Sequence, residues 1–190
     1  MRNLLIAGNS TMPRCVGIFN LPALKTCRPS KWCREHCYGL QGRFVWRPIK
    51  RSHAWRLEQS KKANFATTMI DEIRCRRSIR YIRPHITGDF YSKEYIDKWV
   101  EIAEAFPDII FRGSTRRTDF LSYMKKHLPK NYVMRESTDI TRKHKKIFPQ
   151  QTIKGVPGTD KFFVCVDDCE KCNFHCWYNP EIDVVTGRIR

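Results

Sequence analysis

Seven of the nine cysteines lie in two short groups, and the groups differ in size. Cys27, Cys33 and Cys37 form a trio with spacing C-x5-C-x3-C, and Cys165, Cys169, Cys172 and Cys176 form a quartet with spacing C-x3-C-x2-C-x3-C. Thiolates packed this tightly along a chain cannot all pair as disulfides, but they can converge on a metal centre. Such loops must fold around that centre, which fixes their shape before any core is considered. Four thiolates close the coordination of a cluster or a zinc ion; three leave a position open, and open positions are where metals do chemistry. The counts predict a reactive centre near the front of the chain and a closed one near the back.

The last two spacers of the quartet match the ferredoxin pattern C-x2-C-x2-C-x3-C, with a first spacer one residue longer. Zinc sites more often use two C-x2-C knuckles set further apart, so an iron–sulfur cluster is favoured and zinc is the alternative. For the trio, a four-iron cluster with one free iron stands beside a Cys3His zinc site using His36. A single centre shared by trio and quartet is also open. Cys15 and Cys75 lack companions and read as packing or free thiols.

The chain has 190 residues, 41% of them hydrophobic, with 11 Phe and 5 Trp, enough for a core. One domain is expected over 1–190: N-terminal strands and the trio loop in 1–50, a helical and βαβ core in 51–140, and a basic loop with the quartet in 141–190. The balance of 36 Lys plus Arg against 19 Asp plus Glu gives a net charge of +17. A charge of that size costs self-repulsion and points to a polyanionic partner, nucleic acid first. No apolar run approaches the length of a membrane span, and the start of the chain lacks a signal-peptide pattern. The expectation is a cytoplasmic protein with no membrane partner, in a reducing compartment where clustered cysteines mean metal.

Short strands are predicted at 4–7 and 15–19, and one or two amphipathic helices over 52–77. Ile79 to Thr87 is strand-like, and Gly88-Asp89-Phe90 turns. Ser92 caps a helix whose apolar residues Tyr95, Ile96, Trp99, Val100 and Ala103 recur at three and four, until Pro107 stops it. Residues 108–111 and 132–134 begin further strands, with a helix between them capped at Thr118. Residues 140–160 are basic, rich in Pro and Gly, without period, and read as a loop. Strands alternating with helices give an α/β fold, a parallel sheet with partial βα-barrel character and cysteine-rich metal-binding loops. Such sheets gather functional groups at the carboxyl ends of their strands. The polar residues expected there are His85 and Asp89 as proton-transfer or ligand-binding groups, and Gly88, Asp89, Ser114, Thr115 and Arg116 as a cofactor cradle; Ser137 falls there too. Candidate nucleic-acid contacts are Arg74, Arg76, Arg77 and Arg80, then Arg142, Lys143, Lys145 and Lys146. Arg43, Arg47, Lys50 and Arg51 add a basic set around Phe44, Trp46 and Trp55, a mixture suited to stacking on bases.

The order of these motifs resembles the uncharacterised phage and plasmid gene product 88 family. The shared elements are Gly8-Asn9-Ser10, Leu21-Pro22 before Thr26-Cys27, the trio ending Cys37-Tyr38-Gly39, Arg83 and His85, Gly88 to Ser92, the strand end at Thr115, and Cys176-Trp177. That resemblance implies a viral or mobile-element origin, hence a host-cell cytoplasmic setting, and metal binding. A more distant resemblance in layout is to radical S-adenosylmethionine enzymes: three cysteines after an early strand, a Gly-Asp motif after the next, and an extra cluster. It implies one or two 4Fe-4S clusters and S-adenosylmethionine as cofactor. The trio spacing departs from the usual C-x3-C-x2-C of those enzymes, and the chain is too short for six βα units. Two functions follow as expectations: an iron–sulfur protein doing radical or redox chemistry on or near nucleic acid, or a non-catalytic nucleic-acid-binding protein whose metal centres are structural.

Overall fold

The computed structural model describes residues 3–139, 151–154, 162–165, 168–178 and 184–187. The chain runs β1 (Ile6–Ala7), β2 (Val16–Phe19), α1 (Lys31–Glu35), α2 (Arg47–Lys61), α3 (Phe65–Arg74), β3 (Tyr81–Pro84), α4 (Lys93–Glu104), β4 (Ile110–Thr115), α5 (Leu121–His127), β5 (Tyr132–Asp139), β6 (Gln151–Lys154), β7 (Phe162–Val164), α6 (His175–Tyr178) and β8 (Val184–Gly187). These strands form one eight-stranded sheet in the order β1-β2-β3-β4-β5-β6-β8-β7. Strands β2 to β5 are parallel and joined by helical crossovers. β1 is antiparallel at one edge, and β6 is antiparallel to both β5 and β8. The α/β class and the parallel centre agree with expectation. The outer strands do not, and among the described residues no pairing joins β7 back to β1, so the sheet is open and mixed.

Because side chains alternate along a strand, each parallel strand feeds two cores. Phe19, Ile82, Phe111 and Tyr132 face the helices and pack with Leu57 of α2, Phe65, Met69 and Ile73 of α3, Tyr95, Trp99 and Ile102 of α4, and Met124 of α5. Burying one side chain of this size contributes about 1.5–3 kcal/mol, so this layer dominates stability. On the other face Val16 and Ile18 pack under Phe174, Cys176 and Trp177, with Cys165 and Cys169 against the same cluster. The quartet segment is therefore the lid of the sheet's second face. Tyr81 of β3 stacks on Phe174 with ring centroids 3.9 Å apart.

The helix after β3 begins where its cap predicts: the Ser92 hydroxyl accepts a hydrogen bond from the Tyr95 amide. Thr118 does not cap α5; it opens a 3-10 turn, and the helix starts at Leu121 and runs past Met124 to His127. β3 is shorter than the apolar run suggests, ending at Pro84, because His85 takes a positive φ of 59° and turns the chain. Within the basic segment read as a loop, Gln151–Lys154 is a strand; residues 140–150 and 155–161, with Arg142, Lys143, Lys145 and Lys146, lie outside the described residues. No helix among the described residues is long and apolar enough to cross a membrane.

Candidate functional site

The trio lies in the crossover from β2 to α2, directly beyond the carboxyl ends of β2 and β3. Its scaffold is local. Ser30 caps α1 by accepting from the Cys33 amide at 3.0 Å, which places Cys33 on the helix with Cys27 before it and Cys37 after it. α1 buries none of its residues fully, so the loop has no apolar core of its own. It is held instead by hydrogen bonds to the β3 strand end. Thr87 donates its hydroxyl to the Leu21 carbonyl at 3.0 Å. The Asn20 carboxamide oxygen accepts from the Ile86 and Thr87 amides. The Tyr38 hydroxyl donates to the Ile86 carbonyl.

Gly88 brings the two segments closest. Its φ is +82°, and a Cβ there would stand 2.5 Å from Leu21 Cβ and 2.9 Å from Thr26 Oγ1. Only glycine permits that approach. The next residue, Asp89, is 4% exposed and is the polar centre of the site. Its amide donates to Thr26 Oγ1 at 3.1 Å. Its carboxylate accepts from the Phe90 amide at 2.7 Å, the Thr115 hydroxyl at 2.7 Å and the Arg116 amide at 2.8 Å. Burial pushes its carboxyl up to about 6, against the pull of those three donors and the Arg117 charge. A carboxyl tuned this way can hold or release a proton near neutral pH.

Asp89 also acts electrostatically on Cys27. Burial first, then Asp89, with smaller contributions from Cys37 and Cys33, pushes the Cys27 thiol up to about 12. The trio and the Gly88-Asp89 turn thus share one neighbourhood, as does Thr115. Arg117 adds a tie: it pairs with Asp119 at 2.8 Å, and Asp119 also meets Arg28 of the trio loop at 3.4 Å.

In the quartet, burial and then Cys172, Cys176 and Cys165 push the Cys169 thiol up to about 12. Among the described residues, no three His, Cys, Asp or Glu side chains are gathered around a single-ion site.

His85 is a correction. Its ring is 3% exposed and faces the helix-side core, edge-on to Phe90, with Nε2 2.8 Å from the Tyr95 hydroxyl. Burial and then the Arg83 charge push it down to about 3, so it is a neutral core histidine rather than a ligand or proton donor at the site. His36 stacks on Trp32 with ring centroids 4.8 Å apart, and its Nδ1 lies 3.0 Å from the Trp32 carbonyl oxygen. Ser114 lies on the face opposite Thr115, where it accepts from Arg83 at 3.1 Å. Cys15 packs under the quartet, and Cys75 is an exposed residue at the end of α3.

Two residues escaped sequence reasoning, Arg112 and Arg135, buried on β4 and β5; Arg83, noted in the sequence beside His85, is buried with them on β3. Their signal is a repeated one, two apolar or aromatic residues followed by arginine: Tyr81-Ile82-Arg83, Ile110-Phe111-Arg112 and Val133-Met134-Arg135.

A family model described as gene product 88 matches residues 2–179. The chain belongs to the gene product 88 family. No curated protein and no solved structure matches it. The match spans β1 through the quartet, so every group of the candidate site lies within the matched residues.

Proposed function

We propose that the protein is an iron–sulfur protein with two centres: an open one on Cys27, Cys33 and Cys37, and a closed one on Cys165, Cys169, Cys172 and Cys176. The observation that carries this reading is the convergence of the trio with Gly88, Asp89 and Thr115 at the carboxyl ends of parallel strands. That is where α/β sheets bind ligands.

The donor set fits a cluster. Around a zinc ion, with Zn–S near 2.3 Å, thiolates crowd about a single point. All seven donors are free thiols, the ligand type of iron–sulfur clusters, and among the described residues no three are gathered as a single bound ion requires. Cys27, Cys33 and Cys37 would hold a four-iron cluster, which would supply electrons to a bound ligand, S-adenosylmethionine being the candidate. The chain's own residues do the rest. Asp89 holds a proton or a ligand amino or hydroxyl group beside the open position, Thr115 and the Arg116 amide fix the carboxylate, and Gly88 lets the two segments close on one another. Trp177 and Phe174 pack with Cys165, Cys169 and Cys176 on one side of the quartet.

Nucleic acid is the proposed macromolecular partner. Trp46 is 57% exposed, with exposed Val45 and Leu40 near it in sequence and exposed Arg43, Arg47, Lys50 and Arg51 around it. An aromatic among cations is the arrangement that stacks bases and follows a phosphate backbone. Trp55 is different: it packs against the helix-side core and is not available for stacking.

A second reading has its own observation. Since α1 buries nothing, a metal could serve only to staple the loop, leaving a non-catalytic nucleic-acid-binding protein. Electron paramagnetic resonance on anaerobically purified, dithionite-reduced protein separates the two. A four-iron signal that changes on adding S-adenosylmethionine supports the open site; a signal indifferent to it, or zinc with no signal, favours the staple.

A further inference from the structure

The face of the sheet beneath the quartet carries an unusual charge. Arg83, Arg112 and Arg135 are 7%, 6% and 3% exposed, on three adjacent parallel strands. All three occupy the face that also holds Tyr81, Ile110 and Ser114, opposite the helices. Arg83 donates to the Arg112 carbonyl at 2.9 Å and to Ser114 Oγ at 3.1 Å; both acceptors are neutral. Arg135 donates to the Cys176 carbonyl at 3.1 Å. Among the described residues neither Arg83 nor Arg112 has an ion pair, and Arg112 Nε is buried without a hydrogen-bond partner. Ser137, which shares the face of Arg135 and stands two residues on, also has a buried hydroxyl without a partner.

Buried guanidinium groups are strongly disfavoured unless an anion meets them. Burial first, then the neighbouring Arg112 charge, pushes Arg83 down to about 10. A planar fork of donors repeated on neighbouring strands, with serine hydroxyls beside it, matches the oxygens of a phosphoryl group. Its charge of about −1.5 to −2 at neutral pH balances two arginines, which a single carboxylate does not.

We propose that this face of the sheet binds a phosphoryl group through Arg83, Arg112 and Ser137, with Arg135 completing the ring of donors. The site is distinct from the Asp89 cradle, since Asp89 and Thr115 lie toward the helix side of the strand ends. It lies beneath the quartet, where Arg135 reaches the Cys176 carbonyl. It stands whether or not the trio carries a metal. A ligand held there by its phosphate would present its remainder to the strand ends where the trio sits.

The test is thermal unfolding of the full chain, as purified, over a series of inorganic phosphate concentrations at constant ionic strength, with acetate as the monovalent control. Phosphate should raise the melting temperature in a saturable way and acetate should not. Arg112→Met should raise the melting temperature in phosphate-free buffer, since it removes an uncompensated buried charge, and should weaken phosphate about tenfold or more. Ser137→Ala, which leaves the charges in place, should weaken it by a smaller factor. Lys126→Gln removes an exposed charge of the same sign and should leave the phosphate effect intact. Repeating the series with a nucleoside monophosphate identifies the source: a larger shift means a phosphorylated organic ligand, an equal one means free phosphate. No saturable shift in the wild-type protein, or an unchanged shift in both Arg112→Met and Ser137→Ala, overturns the proposal.

Discussion

Replacing Gly88 with alanine tests the contact on which the candidate site depends. The position combines two costs. A residue with a side chain at φ +82° pays about 1–2 kcal/mol for the left-handed backbone. The added methyl would lie 2.5 Å from Leu21 Cβ and 3.1 Å from the Leu21 carbonyl carbon, so the backbone of the trio loop must move. Overpacking of that kind costs a further 1–3 kcal/mol or so. The sum is about 2–5 kcal/mol, which for a chain of this size lowers the melting temperature by roughly 4–20 °C. Urea unfolding followed by fluorescence gives the free energy directly. The effect should be local as well: metal held by the trio should fall while that held by the quartet stays, because the atoms nearest the added methyl belong to Leu21 and Thr26 beside the trio. A Gly88→Ala protein within 0.5 kcal/mol of wild type would refute the close approach.

Further outcomes follow from the same geometry. His85 is held neutral, with its folded-state value near 3 against 6.5 in an unfolded chain. Its contribution is therefore present above pH 6.5 and is lost as pH falls toward 3, by something on the order of 4–5 kcal/mol in all. His85→Gln should flatten that acid dependence in chemical unfolding at a series of pH values; an equal slope in both proteins would refute it. Thr115→Val removes one of three donors to Asp89 and should cost about 1–3 kcal/mol. It should also raise the Asp89 titration above its present position near 6, measured by carboxyl carbon NMR, and a lowered value would contradict the assignment. Ser92→Ala deletes the cap of α4 and should cost about 1 kcal/mol with no effect on metal content.

The parallel centre was legible because local signals agreed there. Apolar runs at β3 and β4 precede helices, and at Ser92 cap, period and stop all point to one element. The outer sheet was not legible, since Gln151–Lys154 is short and polar and becomes a strand only by pairing with residues 136–139 and 184–187. No local pattern encodes such a partner. Asp89 could be found from its turn and its place at a strand end. His85 could not be told from it, because the positive φ that rotates its ring into the helix-side core is a tertiary outcome. The buried arginines were written in the sequence, once in each of three strands. Their meaning depends on the quartet folding over them, which joins residues 41 positions apart at Arg135 and Cys176.

Counting iron and acid-labile sulfide per chain tests the central claim most directly. The measurement uses anaerobically purified wild-type protein beside Cys33→Ala and Cys172→Ala. Two separate four-iron centres predict about eight irons with matching sulfide in the wild type, and about half of each in either variant. Zinc in place of iron, no sulfide, or one variant emptying both sets together would contradict two independent iron–sulfur centres.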